Sequence, residues 1–413
     1  MGQRPVRRQA GAKDRRRPTA PAVRLPDETV RIEKMAAGGE AIARLADGRV
    51  VFVQGALPGE SVRVAIHSAK KDFARATVAE LVEPSAQRAV PPCPELANGC
   101  GGCGWQHIES SAQLQLKAEI VADALRRTGR LPEALVSSGG AVGPWQYRTT
   151  MRLAVTAHGR LGLREAASHR VVPLDECPVA HPLLATLLPQ VRAANTDEVT
   201  LRISVATGEC TAWSPDRALV VSGMPADAGV GADAVVHERV AGVLLRVSAS
   251  SFFQSGPAAA ELLVQTVRDA CGEVLTNLSG PMLDAYGGVG LFSAALGVEQ
   301  SVLVESSDSS CADAVHNLGE RAVVHRSLFE EWVPQPVALA VVDPARAGLG
   351  ADAVEVLAAT GAARLVLVSC DPVSLARDAN LLAAKGYTHA GSTVLDLFPH
   401  TPHVEVVTRF DRR

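Results

Sequence analysis

Residues Leu365–Pro372 read LVLVSCDP. An apolar run rich in Val and Leu that breaks off at Ser369-Cys370-Asp371-Pro372 fits a buried central strand of a parallel sheet. The Asp-Pro pair ends it, because proline cannot continue the hydrogen-bond ladder. Cys370 then stands at the carboxyl end of a strand, where open α/β sheets hold their ligands. A free cysteine is often only a small buried apolar residue, so its meaning depends on what surrounds it.

The surrounding pattern repeats the same unit. From about residue 250, strand-like runs at Met282–Ala285, Ser301–Glu305, Ala322–His325, Ala338–Val342 and Val404–Phe410 alternate with helix-like segments such as 291–297 and 308–318. This alternation predicts a doubly wound parallel sheet of Rossmann type. Asp284-Ala285-Tyr286-Gly287-Gly288-Val289-Gly290 is a strand followed by a glycine-rich turn, which lets the backbone approach a ligand at a helix start. Glu305 ends the next strand, about 20 residues on, where a carboxylate accepts bonds from ribose hydroxyls. The turn is not a full G-x-G-x-x-G, which favours S-adenosylmethionine over a dinucleotide. Asp343-Pro344-Ala345-Arg346 follows the fourth strand and places Asp343 at the same cleft; an ordinary Asp-Pro turn is the plainer reading.

The chain has 413 residues, 47% hydrophobic and 21% charged, which suits two or three globular domains. No apolar run approaches 18 residues, so no membrane span is expected. The first 24 residues lack the apolar segment of a secretory signal, so the cytoplasm is the expected compartment. Net charge is −3, but residues 1–24 hold eight Arg/Lys against one Asp, leaving about −10 for the rest. That basic arm, extended to residue 27, reads as a disordered tail that can attract phosphates.

Residues 28–84 carry short strand-like runs separated by Gly38-Gly39, Asp47-Gly48 and Pro58-Gly59, which predicts a small β-barrel. The Gly-Gly-Glu-Ala-Ile-Ala-Arg run, Val50–Val53 and Leu57-Pro58-Gly59-Glu60 resemble a TRAM domain, an oligonucleotide-binding barrel of RNA-modifying enzymes. Residues 85–248 read as a mixed central domain, with an amphipathic helix over 110–128 whose role is structural. Cys93, Cys100 and Cys103, spaced C-x6-C-x2-C among glycines, form a metal loop. Cys177 is the candidate fourth ligand. Four thiolates suit zinc or an iron–sulfur cluster, and spacing alone does not choose. Residues 249–413 complete the chain as the cofactor-binding domain, so the fold class is α/β plus β.

From about residue 28 to 410 these features together resemble the RNA uracil-5 methyltransferase family, whose members make 5-methyluridine in ribosomal or transfer RNA. Phe253-Gln254, Ser369-Cys370-x-Pro372 and Phe398-Pro399-x-Thr401-x-His403-x-Glu405 add to the match. The resemblance implies S-adenosylmethionine as methyl donor and a 4Fe–4S cluster on Cys93, Cys100, Cys103 and Cys177. It implies Cys370 as nucleophile and Glu405 as base, with Gln254, Tyr286, Leu291, Glu305 and Asp343 holding the cofactor or orienting the uracil. This fits the chemistry: C5 of uracil becomes nucleophilic only after a thiolate adds at C6, and a base must then remove the C5 proton. Three positions depart from the family pattern: Gly256 for Asn, Leu291 for a polar residue, and Ala345 for the second proline of Asp-Pro-Pro-Arg. The expected partner is RNA, 23S rRNA ahead of tRNA, and the expected state is a monomer. A non-catalytic RNA-binding protein of the same architecture is the alternative.

Overall fold

A computed structural model describes residues 27–413. The predicted basic tail lies outside the described residues, apart from Asp27.

The strand that opened the sequence reading spans Arg364–Ser369 and is buried at every position. Val366 and Val368 pack into one core, while Leu365 and Leu367 pack into a second on the opposite face. Alternate side chains thus bind helices on both sides of the sheet. Burying each such side chain is worth roughly 1.5–3 kcal/mol, more than β-propensity alone provides.

The sheet around it has eight strands, in the spatial order Ala322–Arg326, Ser301–Glu305, Met282–Ala285, Leu339–Val342, Arg364–Ser369, Glu405–Arg412, Tyr387–Asp396 and Val136–Ala141. The first five are mutually parallel. Glu405–Arg412 alone runs against the others, antiparallel to both of its neighbours, so the sheet is mixed where the sequence predicted a parallel one. The order turns at Met282–Ala285, which is flanked by strands running outward both ways. That is where such sheets open a ligand cleft.

Val136–Ala141, from the predicted central domain, pairs in parallel with Tyr387–Asp396 and closes the edge of this sheet. The rest of the central region holds a separate six-stranded sheet running from Val171–Pro173 to Gly229–Val230, with two two-stranded sheets beside it in sequence, Arg192–Ala194 with Val220–Ser222 and Val235–Val240 with Val243–Ser248. The cysteine loop is stitched to the six-stranded sheet by an isolated bridge between Cys100 and Glu165.

The N-terminal strands form a third sheet of six, ordered Glu28–Arg31, Ser61–Ala69, Phe73–Glu83, Val50–Gln54, Ala41–Arg44 and Lys34–Met35. Its two edge strands do not pair with each other, so where the sequence predicted a small β-barrel the strands form a curled half-barrel. Its turn at Ala37–Gly39 leans on the last part of the chain. Trp105 Nε1 donates to the Gly39 carbonyl at 3.1 Å. A side chain on Gly39 would run into Pro402, and its φ of +91° also favours glycine.

Candidate active site

Cys370 sits just past the buried strand and is partly exposed. Asp371 then caps the helix Pro372–Ala384, its Oδ1 accepting from Val373 N at 3.0 Å and Ser374 N at 2.7 Å. The predicted break at Asp-Pro is therefore a helix start, with proline at the first turn where its missing N–H costs nothing. Cys370 opens into a cavity of about 200 Å³, together with Arg346, His403, Pro402, and Ala37 and Gly38 of the N-terminal sheet.

Glu405 begins the adjacent antiparallel strand and is buried. Asp343 follows the strand on the other side of Arg364–Ser369. Strand order alone brings the three groups together at the carboxyl end of the parallel strands. Burial, then the Glu405 and Asp343 charges, push the Cys370 thiol up to about 11. Burial, then Asp343, hold Glu405 well above the ordinary carboxylate range. Asp343 itself is raised to about 7 by burial and by Asp284.

The glycine turn forms as expected. Gly288 and Gly290 have φ of +54° and +85°, and Gly288 N donates to Glu305 Oε2 at 3.0 Å. Glu305 Oε1 accepts from Ser306 N and Ser307 N, both at 2.7 Å, so the carboxylate is fixed by backbone on two sides. Tyr286 takes a left-handed φ of +59° and donates its hydroxyl to Glu330 at 3.1 Å. Asp284, which the sequence reading placed only within the turn, proves more telling. It is 1% exposed; Ser293 N and Oγ donate to Oδ2, while Oδ1 has no partner. Its pKa is raised to about 7, by burial first.

Leu291 directs its side chain into the core, leaving only its backbone to the cleft. Gln254 is buried beside Ser255, whose Oγ donates to the Leu397 carbonyl at 3.2 Å. Gly256 is explained by close approach: a Cβ there would strike the Tyr147 carbonyl oxygen. The family's Asn thus has no room at this position. Ala345 is exposed at the surface. His403 Nδ1 lies 3.0 Å from Arg346 Nη2. A guanidinium has no acceptor, so the ring accepts and is neutral.

Cys93, Cys100, Cys103 and Cys177 all line a separate small cavity between the cysteine loop and the central sheet. Burial raises Cys100, Cys103 and Cys177, with Cys103 pushed up to about 11. Four thiols lining one cavity are donors of the kind that suits a cluster or a thiophilic metal. Yet among the described residues no three His, Cys, Asp or Glu stand close enough to hold one metal ion. The predicted four-thiolate site is assembled as a common cavity wall rather than a closed ligand set.

The family description "TRAM domain" matches residues 28–79. A protein of Streptomyces avermitilis described as an uncharacterized RNA methyltransferase is 35% identical, over 92% of this chain and 96% of its own length. The 23S rRNA (uracil(1939)-C(5))-methyltransferase RlmD of Halomonas elongata is 30% identical, over 96% and 92%. Among solved structures, the Pyrococcus abyssi tRNA (uracil-54, C5)-methyltransferase in complex with S-adenosyl-L-homocysteine superposes with a TM-score of 0.68. It is 24% identical and covers 92% of this chain and 99% of its own. At that identity the likeness speaks for the fold.

Proposed function

The chain belongs to the RNA methyltransferase family of these relatives, and on that premise we propose that it methylates C5 of a uridine in RNA, 23S rRNA foremost, with S-adenosylmethionine as donor. The observation that carries this reading is the meeting of Cys370, Glu405 and Asp343 at the ends of three neighbouring strands, beside the turn Tyr286–Gly290.

The Cys370 thiol gives its proton to solvent, the thiolate Sγ adds to C6 of the uracil, and the electron pair moves to C5 and O4. C5 attacks the methyl carbon of the sulfonium, and the C–S bond electrons remain on S-adenosylhomocysteine. Glu405 then takes the C5 proton, the C5–C6 double bond re-forms and the Cys370–C6 bond breaks. Gln254, Tyr286, Glu305, Asp343 and the Leu291 backbone hold the cofactor in this reading. Cys93, Cys100, Cys103 and Cys177 are the residues that would hold a 4Fe–4S cluster. Bound there, it would tie the loop to the central sheet.

The test is product analysis. Purified protein with labelled S-adenosylmethionine and transcripts of 23S rRNA is expected to yield 5-methyluridine on nucleoside digestion. Label in tRNA transcripts instead would move the substrate, and label at any other base or none would overturn the reading.

The raised thiol needs an activator, since only the thiolate adds. A sulfonium cation beside Asp343 opposes the two carboxylates and favours the thiolate. Alkylation of Cys370, followed by mass spectrometry of its peptide, is expected to show a pH midpoint near 11 in the protein alone. With S-adenosylmethionine bound, the thiolate at a given pH should rise at least about tenfold. S-adenosylhomocysteine, whose thioether sulfur is uncharged, should not reproduce this. Equal midpoints with both ligands would remove the cofactor as activator.

A further inference from the structure

We infer that Lys117 is a positioning residue for the methyl-transfer site, holding the Phe398–His403 turn so that Glu405 and His403 face Cys370; this rests on the reading of Glu405 as base. Lys117 lies on the helix Ser110–Arg127 and is completely buried, as is its partner Asp396 at 2% side-chain exposure. Lys117 Nζ donates to Asp396 Oδ1 at 2.6 Å and to the Phe398 carbonyl at 3.2 Å. Asp396 Oδ1 also accepts from Phe398 N at 3.1 Å. The ion pair therefore holds both backbone polar groups of Phe398.

The same helix face continues the work. Gln113, one turn earlier, accepts from His400 N through Oε1 at 2.6 Å, and its Nε2 lies 3.3 Å from His400 Nδ1. Ile120, one turn later, lines the catalytic cavity itself. Groups outside the turn take its other carbonyls. Tyr147 Oη donates to Pro399 O at 3.1 Å, and Trp105 N donates to His400 O at 2.8 Å. The turn leads directly into His403 and Glu405.

Stability alone does not account for an ammonium in this place. Burying an ion pair costs desolvation that its attraction barely offsets, and an apolar pair of similar volume often folds as well or better. An apolar pair would not grip the turn, nor place a positive charge near its histidines. Lys117 is among the charges that push His400 and His403 down to about 4, after burial in both cases. For His403 the other facing charges are Arg346 and Arg148. Neutral His403 accepts from Arg346; protonated, it would repel that guanidinium and release it from the cavity.

The experiment replaces the pair with Lys117→Met and Asp396→Leu together. The double variant is expected to melt near the parent, with KM for S-adenosylmethionine unchanged. Its kcat should fall about 10- to 100-fold, the cost of a small misplacement of reacting groups, and the acid limb of kcat should move to higher pH. A kcat and pH profile both within twofold of the parent would overturn the proposal. Should the double variant not fold, Asp396→Asn serves: kcat is expected to fall while the acid limb stays in place or moves to lower pH, because Lys117 then faces His403 without its counter-ion, and a kcat within twofold of the parent overturns the proposal. Glu405→Gln run in parallel keeps the two ideas apart. If that variant turns over normally, the base assignment fails, while a Lys117 effect on kcat still reports on the turn.

Discussion

Replacing Cys370 with alanine is expected to abolish methyl transfer to RNA, a loss of at least about 10⁴-fold, with the fold intact. C5 of uracil does not attack a sulfonium until a nucleophile has added at C6, and the cavity offers no second thiol: its other lining side chains are Arg346, Asp371, His403 and apolar groups. The substitution should spare the structure, because the strand before it packs through residues 365–368 and the helix after it is capped by Asp371. RNA carrying 5-fluorouridine at the target gives the second measurement. Fluorine does not leave as a proton, so the parent enzyme is expected to stall as a covalent adduct that survives denaturing electrophoresis, and Cys370→Ala to form none. Methylation by Cys370→Ala within tenfold of the parent rate would end the covalent account.

The chemistry was legible in the sequence because punctuation marks strand ends. Asp-Pro after LVLVSC and Asp-Pro after the fourth strand each showed where an apolar run stops, and in a parallel sheet those ends share one cleft. What escaped the reading lies where burial and polarity disagree. Gln113 and Lys117 occupy the buried face of a helix whose apolar stripe suggested only packing. Residue-type statistics place both at the surface, so a hydrophobic pattern discards them. Val136–Ala141 reads VSSGGA, with no alternation to betray a strand, and its partner lies some 250 residues on. Closure of the N-terminal sheet depends on curvature and edge pairing, which strand spacing does not encode. Asp284 was read as the start of the glycine turn and given no role of its own, because its burial and its one unpartnered oxygen depend on surroundings the sequence does not show.

Glu405→Gln is expected to separate the two halves of the reaction. Glutamine keeps the shape of the side chain and cannot take the C5 proton. Addition and methylation should therefore run once, and elimination should fail, so that protein joined to methylated RNA accumulates with ordinary uridine and no fluorine is needed. Multiple turnover should drop at least about 10³-fold, while the first methyl transfer stays within about tenfold. Stability provides an independent check. The folded-state pKa of Glu405 is raised, by burial and then Asp343. The folded protein therefore holds this proton more tightly than the unfolded chain does. Its contribution is fully favourable below the usual carboxylate pKa and is lost as pH rises toward the raised value. Glutamine removes that loss, so Glu405→Gln should melt no lower than the parent at pH 8, and the gap should narrow toward pH 4. If turnover continued in this variant, Asp343 would be the base to examine next. A variant that melted lower at pH 8 than at pH 5, relative to the parent, would mean that Glu405 is ionised and paired in the folded protein, and the case for a poised base would fall with it.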